Sequence, residues 1–179
     1  CLVGSEMCIR DRSATWVKEG RRESTIQRAS SVPSLDTLEE LTDSVETIIS
    51  VCPPSAALEV ALNIFDKGFK GIYVDANAIS PLESRKISDL FGAAFVDGGI
   101  IGPPAKEAGT TRIYLSGMRS REVVDLFKVG PLEAVALSES SDPEEMTAAS
   151  ALKMAYAGFS KGSSALLLAV NAFARESGV

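Results

Sequence analysis

The sequence predicts an α/β domain built on a doubly wound, mainly parallel sheet. Short β-branched runs closed by proline or glycine alternate with helical patterns of about ten to fifteen residues, which is the signature of successive right-handed βαβ units. A chain of 179 residues, 45% of them hydrophobic, is long enough to bury one such core. The alternation fails only at the carboxyl end, where residues 142–179 read as one apolar helix.

The elements follow in order. Residues 14–17 form a short apolar strand and residues 23–29 a polar helix. Residues 34–41 (SLDTLEEL) put Leu35, Leu38 and Leu41 on one face, with Asp36 three positions before Glu39, and so predict a capped amphipathic helix. Residues 45–51 (VETIISV) are β-branched and stop at Pro53-Pro54, as a strand ended by a double proline would. A helix over 56–67 ends at Gly68; then come a strand over 71–75, a helix over 81–91, strands over 94–97 and 111–115, a helix over 120–127 and a strand over 134–137. In the last segment Asp142 suits an N-cap, Pro143 the first helical position, and Glu144 and Glu145 the helix dipole, with no strong breaker before Gly178. A helix of about 35 residues would run roughly 50 Å, too long for this sheet. Its apolar faces imply a second domain or subunit, and Gly158 and Gly162, four apart, would let another helix approach closely.

Composition removes several function classes. Eighteen Lys+Arg against 24 Asp+Glu give a net charge of -6, which draws the chain neither to nucleic acid nor to an anionic membrane. Small molecules or protein are the expected partners. The absence of histidine excludes Ser-His-Asp and Cys-His catalysis, and three scattered cysteines make no zinc site and suit a reducing cytoplasm. The longest apolar run, residues 165–170, is far below the roughly 18 residues of a membrane span. Residues 1–12 (CLVGSEMCIRDR) have neither periodicity nor signal-peptide order and look like a translated sequencing-adapter remnant, so the α/β domain is expected over 13–141 and the start of a helical domain over 142–179.

Four stretches occur in a recognisable order: Val51-Cys52-Pro53-Pro54 closing a strand, Val74-Asp75-Ala76-Asn77-Ala78-Ile79-Ser80-Pro81, Phe95-Val96-Asp97-Gly98-Gly99-Ile100-Ile101-Gly102-Pro103, and a long helix carrying Lys153. Together they resemble the β-hydroxyacid dehydrogenases and the 6-phosphogluconate dehydrogenase-like oxidoreductases. The resemblance covers residues 14–179 and implies a Rossmann-type sheet with NADP or NAD across the carboxyl ends of its strands. The family's G-x-G-x-x-G turn has no counterpart here, which implies that the first strand, with its helix, is missing and that the chain alone is inactive. What the resemblance leaves of the cofactor site is Arg21 and Arg22 after the first strand present, Cys52, Pro53 and Pro54 at the next strand end, and Asn77. Arginine where NAD-type sites carry an acidic residue favours a 2′-phosphate, hence NADP; two solvated arginines opening a polar helix are the plain alternative.

Gly98, Gly99, Ile101 and Gly102 correspond to the family's substrate loop, where Ile101 replaces a serine and Pro103 a glycine. The glycines can still present backbone N–H groups at close approach. Lys153 corresponds to the family's catalytic lysine. In an apolar helix its charged form is disfavoured, so it can exchange a proton with a substrate hydroxyl as hydride moves; a lysine snorkelling over apolar surface is the plain alternative. The asparagine usual four positions on is Ala157, Tyr156 is a reserve proton donor, and Lys161 is expected to be solvated. The expected activity is an NAD(P)-dependent dehydrogenase or reductase acting on a small hydroxy acid or related carbonyl compound, with a homodimer formed through the helical domain. A non-catalytic nucleotide-binding module and an imine reductase on the same architecture are the alternatives.

Overall fold

The computed structural model describes residues 14–179; the adapter-like stretch lies outside the described residues. Strands β1 (Trp16–Val17) and β2 (Ser34–Leu35) form a separate parallel pair flanking helix α1 (Glu23–Arg28). Trp16 and Val17 pair with Ser34 and Leu35, which draws those two residues out of the helix expected over 34–41. Helix α2 (Leu38–Ser44) begins later, capped by Thr37 and closed by Glu40 in a reciprocal capping box, so the Asp36–Glu39 pairing is corrected by one position.

The main sheet has five strands in the order β3 (Thr47–Ser50), β4 (Ile72–Asp75), β5 (Phe95–Ile101), β6 (Thr111–Ser116) and β7 (Leu132–Ser138). Helices α3 (Ala57–Asp66) and α4 (Pro81–Phe91) make the crossovers β3–β4 and β4–β5, and α5 (Ser120–Leu126) joins β6 to β7. These three connections are parallel, whereas β6 runs antiparallel to β5. The segment 102–110 is too short for a crossover helix and returns as a hairpin-like loop, with Gly102 at φ +128° and Thr111 donating its hydroxyl to the Pro103 carbonyl. Helix α4 starts as its residues demand: Ser80 and Glu83 form a capping box around Pro81.

Each face of the sheet carries its own core. Ile48, Tyr73 and Phe95 pack against Ala57, Ala61 and Ile64 of α3 and Ile87 of α4. On the other side Val74, Val96, Ile113 and Leu115 pack with Val123 of α5 and Phe127. With both faces covered, β4 is buried at every position, as a central parallel strand requires.

Two corrections bear on the site. The expected strand over 94–97 continues to Ile101, so Gly98 and Gly99 lie within β5 and only Gly102 opens the loop. The expected single helix from Asp142 is two: α6 (Pro143–Met146), capped by Asp142 through the Glu144 and Glu145 amides, and α7 (Ala148–Glu176), separated at Thr147. Only Ala149 and Ser150 of α7 are fully buried, and its distal part projects with Phe159, Leu166, Leu168 and Phe173 exposed. None of the described helices is long and apolar enough to cross a membrane.

Candidate functional site

Parallel strands β3, β4 and β5 end on one edge of the sheet, where open α/β sheets take their ligands. Their register sets Ser50 beside Asp75, Asp75 beside Asp97, and Asp97 beside Ser116 of β6, a polar row through an otherwise apolar sheet. At the end of β4 the buried Asn77 uses its amide fully. Its Nδ2 donates to Ser50 Oγ (3.2 Å) and Asp75 Oδ2 (3.0 Å), its backbone N–H donates to Asp75 Oδ1 (3.0 Å), and its Oδ1 accepts the Cys52 N–H at 2.6 Å. Asn77 therefore ties the ends of β3 and β4 together and fixes Cys52-Pro53-Pro54 as a shelf, with both prolines at its surface. Burial pushes the Cys52 thiol up, against the opposing effects of Ser50 and of the Arg21 charge, so the sulfur stays a thiol and is a poor nucleophile.

The amino end of α7 is fastened to the same row. Ser150 donates its N–H to Asp97 Oδ2 and its hydroxyl to Oδ1, both at 2.6 Å, and Ser84 of α4 donates to Oδ1 at 2.8 Å. Ser116 accepts the Ala149 N–H at 3.0 Å and donates to the Met146 carbonyl at 3.1 Å. The first free N–H groups of α7 thus find their partners on the sheet, which is the physical reason for the break at Thr147. Helix and strand meet so closely that a Cβ on Gly99 would lie 2.8 Å from the Ala149 oxygen. A Cβ on Gly98 would lie 3.0 Å from the Asp75 oxygen, so neither glycine in β5 is free to be replaced without adjustment.

Lys153 follows one turn along α7, half-buried, and its Nζ donates to the Ile100 carbonyl at 2.5 Å at the carboxyl end of β5. Burial, and secondarily the Lys161 charge, lower its pKa from the ordinary lysine value. Its amine is held inward against the sheet, in contrast to a snorkelling lysine. Ala157 lies half-buried one turn on, Ile101 is half-buried at the strand end, and Tyr156 and Lys161 are exposed. Arg21 and Arg22 are exposed after β1 and form no ion pair with the described residues. The neighbouring carboxylate, Glu19, is engaged elsewhere and accepts the Leu38 N–H at 3.1 Å, while Lys18 pairs with Asp36 at 2.9 Å.

Sequence reasoning passed over Asp75, Asp97, Ser84, Ser116 and Ser150. A signal was present: an aspartate at the close of each of two apolar runs, IYVD and FVD, is costly to bury without a purpose.

No family model matches the chain. An uncharacterised 28.5 kDa protein of Methanothermus fervidus is 32% identical over 99% of this chain, which spans 64% of that relative's length. Among solved structures, a conserved protein of unknown function reported to be structurally similar to 3-hydroxyacid dehydrogenases superposes with a TM-score of 0.71 at 32% identity, over 92% of this chain and 61% of its own. The chain is structurally similar to the 3-hydroxyacid dehydrogenase-like NAD(P)-binding Rossmann domains. The same fold is shared with an imine reductase from Myxococcus stipitatus in complex with NAD+ (TM-score 0.67, 18% identity, 94% of this chain and 60% of that one). It is shared too with a reductive aminase from Aspergillus terreus in complex with NADPH and ethyl levulinate (TM-score 0.65, 18% identity, 95% and 60%). The candidate site of this α/β domain lies at the carboxyl ends of β3, β4 and β5.

Proposed function

We propose that the chain is part of an NAD(P)-dependent oxidoreductase that exchanges hydride between nicotinamide and a small hydroxy acid or related carbonyl compound, with Lys153 giving and taking the proton. The observation that carries this reading is the Lys153 amine, drawn inward over the end of β5 on the strand-end edge that holds the Cys52–Pro54 shelf. Solved relatives of this fold in complex with NAD+ and NADPH support it.

The residues present suit such a cofactor chemically. With Glu19 committed to α2, the exposed guanidiniums of Arg21 and Arg22 fit a 2′-phosphate and favour NADP. The Cys52–Pro54 shelf offers an apolar wall, with both prolines at the surface. The β1–β2 pair is separate from the five-stranded sheet, an arrangement that suits a further strand with the pyrophosphate-binding glycine turn between them. When bound, the nicotinamide supplies the hydride acceptor or donor. Neutral Lys153 takes the hydroxyl proton as the alcohol is oxidised, and its ammonium returns the proton to the oxygen on reduction. Cys52 and Tyr156 are not needed for this transfer.

Imine reduction is the second reading. Ile101 and Ala157 provide no side-chain hydrogen bond for a substrate carboxylate, which suits an uncharged or cationic C=N substrate equally well. NADPH oxidation by the protein extended to its relatives' full length, followed by absorbance with keto acids in one panel and cyclic imines in another, tests both. Turnover with one panel that disappears in Lys153→Ala is the expected result, and turnover undiminished by that substitution would overturn the role of the lysine.

A further inference from the structure

We propose that Asp75 and Asp97 act as a coupled carboxyl pair that retains one proton and holds the Cys52–Pro54 shelf and the Lys153 helix in register. The proposal rests on the reading above only in taking shelf and lysine as parts of one site.

The geometry is that of two aspartates side by side across a parallel ladder. Asp75 and Asp97 are register partners on β4 and β5 and are both fully buried. Side chains at such positions leave the same face of the sheet, from strands about 4.8 Å apart. Two bare charges this close without water are strongly disfavoured, and the pair relieves this by retaining a proton. No cation is among the hydrogen-bond partners of either carboxyl within the described residues. The groups facing the pair are otherwise neutral: Ser50 from β3 and the Cys52 thiol just after it, Tyr73 from β4, Ser116 from β6, Ser84 from α4 and Ser150 from α7, while α3 turns Ala57, Ala61 and Ile64 to this face. Lys153 directs its amine to the Ile100 carbonyl. Burial raises both aspartates, Asp75 to about 6 with the neighbouring Asp97 charge adding to the effect.

Each member governs one half of the site. Asp75 holds Asn77, and Asn77 holds the Cys52 amide. Asp97 holds Ser150, three positions before Lys153. The amides of Asn77 and Ser150 therefore report directly on the two carboxyls, and ¹H–¹⁵N spectra of the full chain between pH 5 and 8 follow them without any nucleotide. Both amides are expected to shift with pH, that of Asn77 around 6. In Asp97→Asn the Asn77 midpoint should fall by about one to two pH units, and in Asp75→Asn the Ser150 midpoint should fall likewise, because removing a like charge about 5 Å away favours ionisation of the survivor. Midpoints unchanged by the partner's substitution, or amides that do not shift over this range, would overturn the pair. Infrared spectra of the unsubstituted protein, which tolerate an associated sample, give the second measurement. A protonated carboxylic acid band persisting near pH 6 and lost in one step on raising the pH is expected, and its absence at pH 6 would refute the shared proton even if neither variant folds. Both measurements omit cofactor, so failure of the oxidoreductase reading leaves them unaffected.

Discussion

Replacing Gly99 by alanine tests whether the seating of α7 on β5 is as close as the site requires. The added Cβ would lie 2.8 Å from the Ala149 carbonyl oxygen and 3.3 Å from Lys153 Cβ. A helical carbonyl has no rotamer to move into, so α7 has to lift by several tenths of an ångström, stretching the Ser150–Asp97 and Ala149–Ser116 hydrogen bonds together. Overpacking of this kind costs about 1–3 kcal/mol, while reduced chain entropy in the unfolded state returns about 0.4–1 kcal/mol. The net loss of about 1–2 kcal/mol corresponds to roughly 3–6 °C in the midpoint of thermal unfolding for a chain of this size. Gly162→Ala is the matched control, since no atom outside its own helix lies within 4 Å of the place a Cβ would take there. There the same methyl should raise the midpoint, by about 1 kcal/mol of helix propensity. Thermal unfolding followed by circular dichroism reads both. A Gly99→Ala protein as stable as the unsubstituted chain would refute the close packing, and with it the claim that the sheet aims Lys153.

Further outcomes are expected. Lys153→Ala should abolish turnover in the nicotinamide assay while leaving cofactor binding by calorimetry nearly intact, since its amine is assigned to proton transfer. Arg21→Ala combined with Arg22→Ala should erase a preference for NADP over NAD in fluorescence titration, and equal affinities before the substitution would remove the basis for assigning those residues. Because the native pKa of Asp75 is raised from 3.8 to about 6, the folded state binds more protons between those values, and urea unfolding should show stability falling by about 3 kcal/mol as pH rises through that window. The Asp97 shift acts in the same direction, whereas Glu39 and Glu122, held low by Lys67 and Arg119, act at lower pH and with the opposite sign. Leu166→Glu with Phe173→Glu should reduce self-association in sedimentation velocity, both side chains being exposed on the projecting part of α7.

How much could be read from the sequence depended on whether the deciding contact was local. Helix α4 runs over the expected residues because Ser80, Pro81 and Glu83 specify its start without help from elsewhere. The start of α2 shifted because two overlapping cap pairs, Asp36–Glu39 and Thr37–Glu40, are equally good locally, and pairing of Ser34 and Leu35 with β1 chose between them. Likewise Gly98 and Gly99 look like a loop until the Asp75 and Ala149 carbonyls come close enough to require them. At the site, Lys153 and the proline shelf were visible through motif order. Asp75 and Asp97 each stood out only as an aspartate closing an apolar run; their pairing was not legible, because it lies in a strand register that no single stretch of residues displays.

The break at Thr147 connects these observations. Had the helix run on unbroken from Asp142, the Ala149 and Ser150 amides would have bonded within it, to the carbonyls of residues 145 and 146. They bond instead to Ser116 and Asp97, and the Met146 carbonyl is taken by the Ser116 hydroxyl. The interruption frees two amides to fasten α7 to the middle of the sheet. Lys153 follows one turn later, where its amine still reaches the end of β5, whereas Tyr156 and Phe159 beyond it are exposed. An inward lysine in a largely apolar helix is thus a consequence of where that helix begins, and its beginning is set by two polar side chains, one of them a buried aspartate, on neighbouring strands.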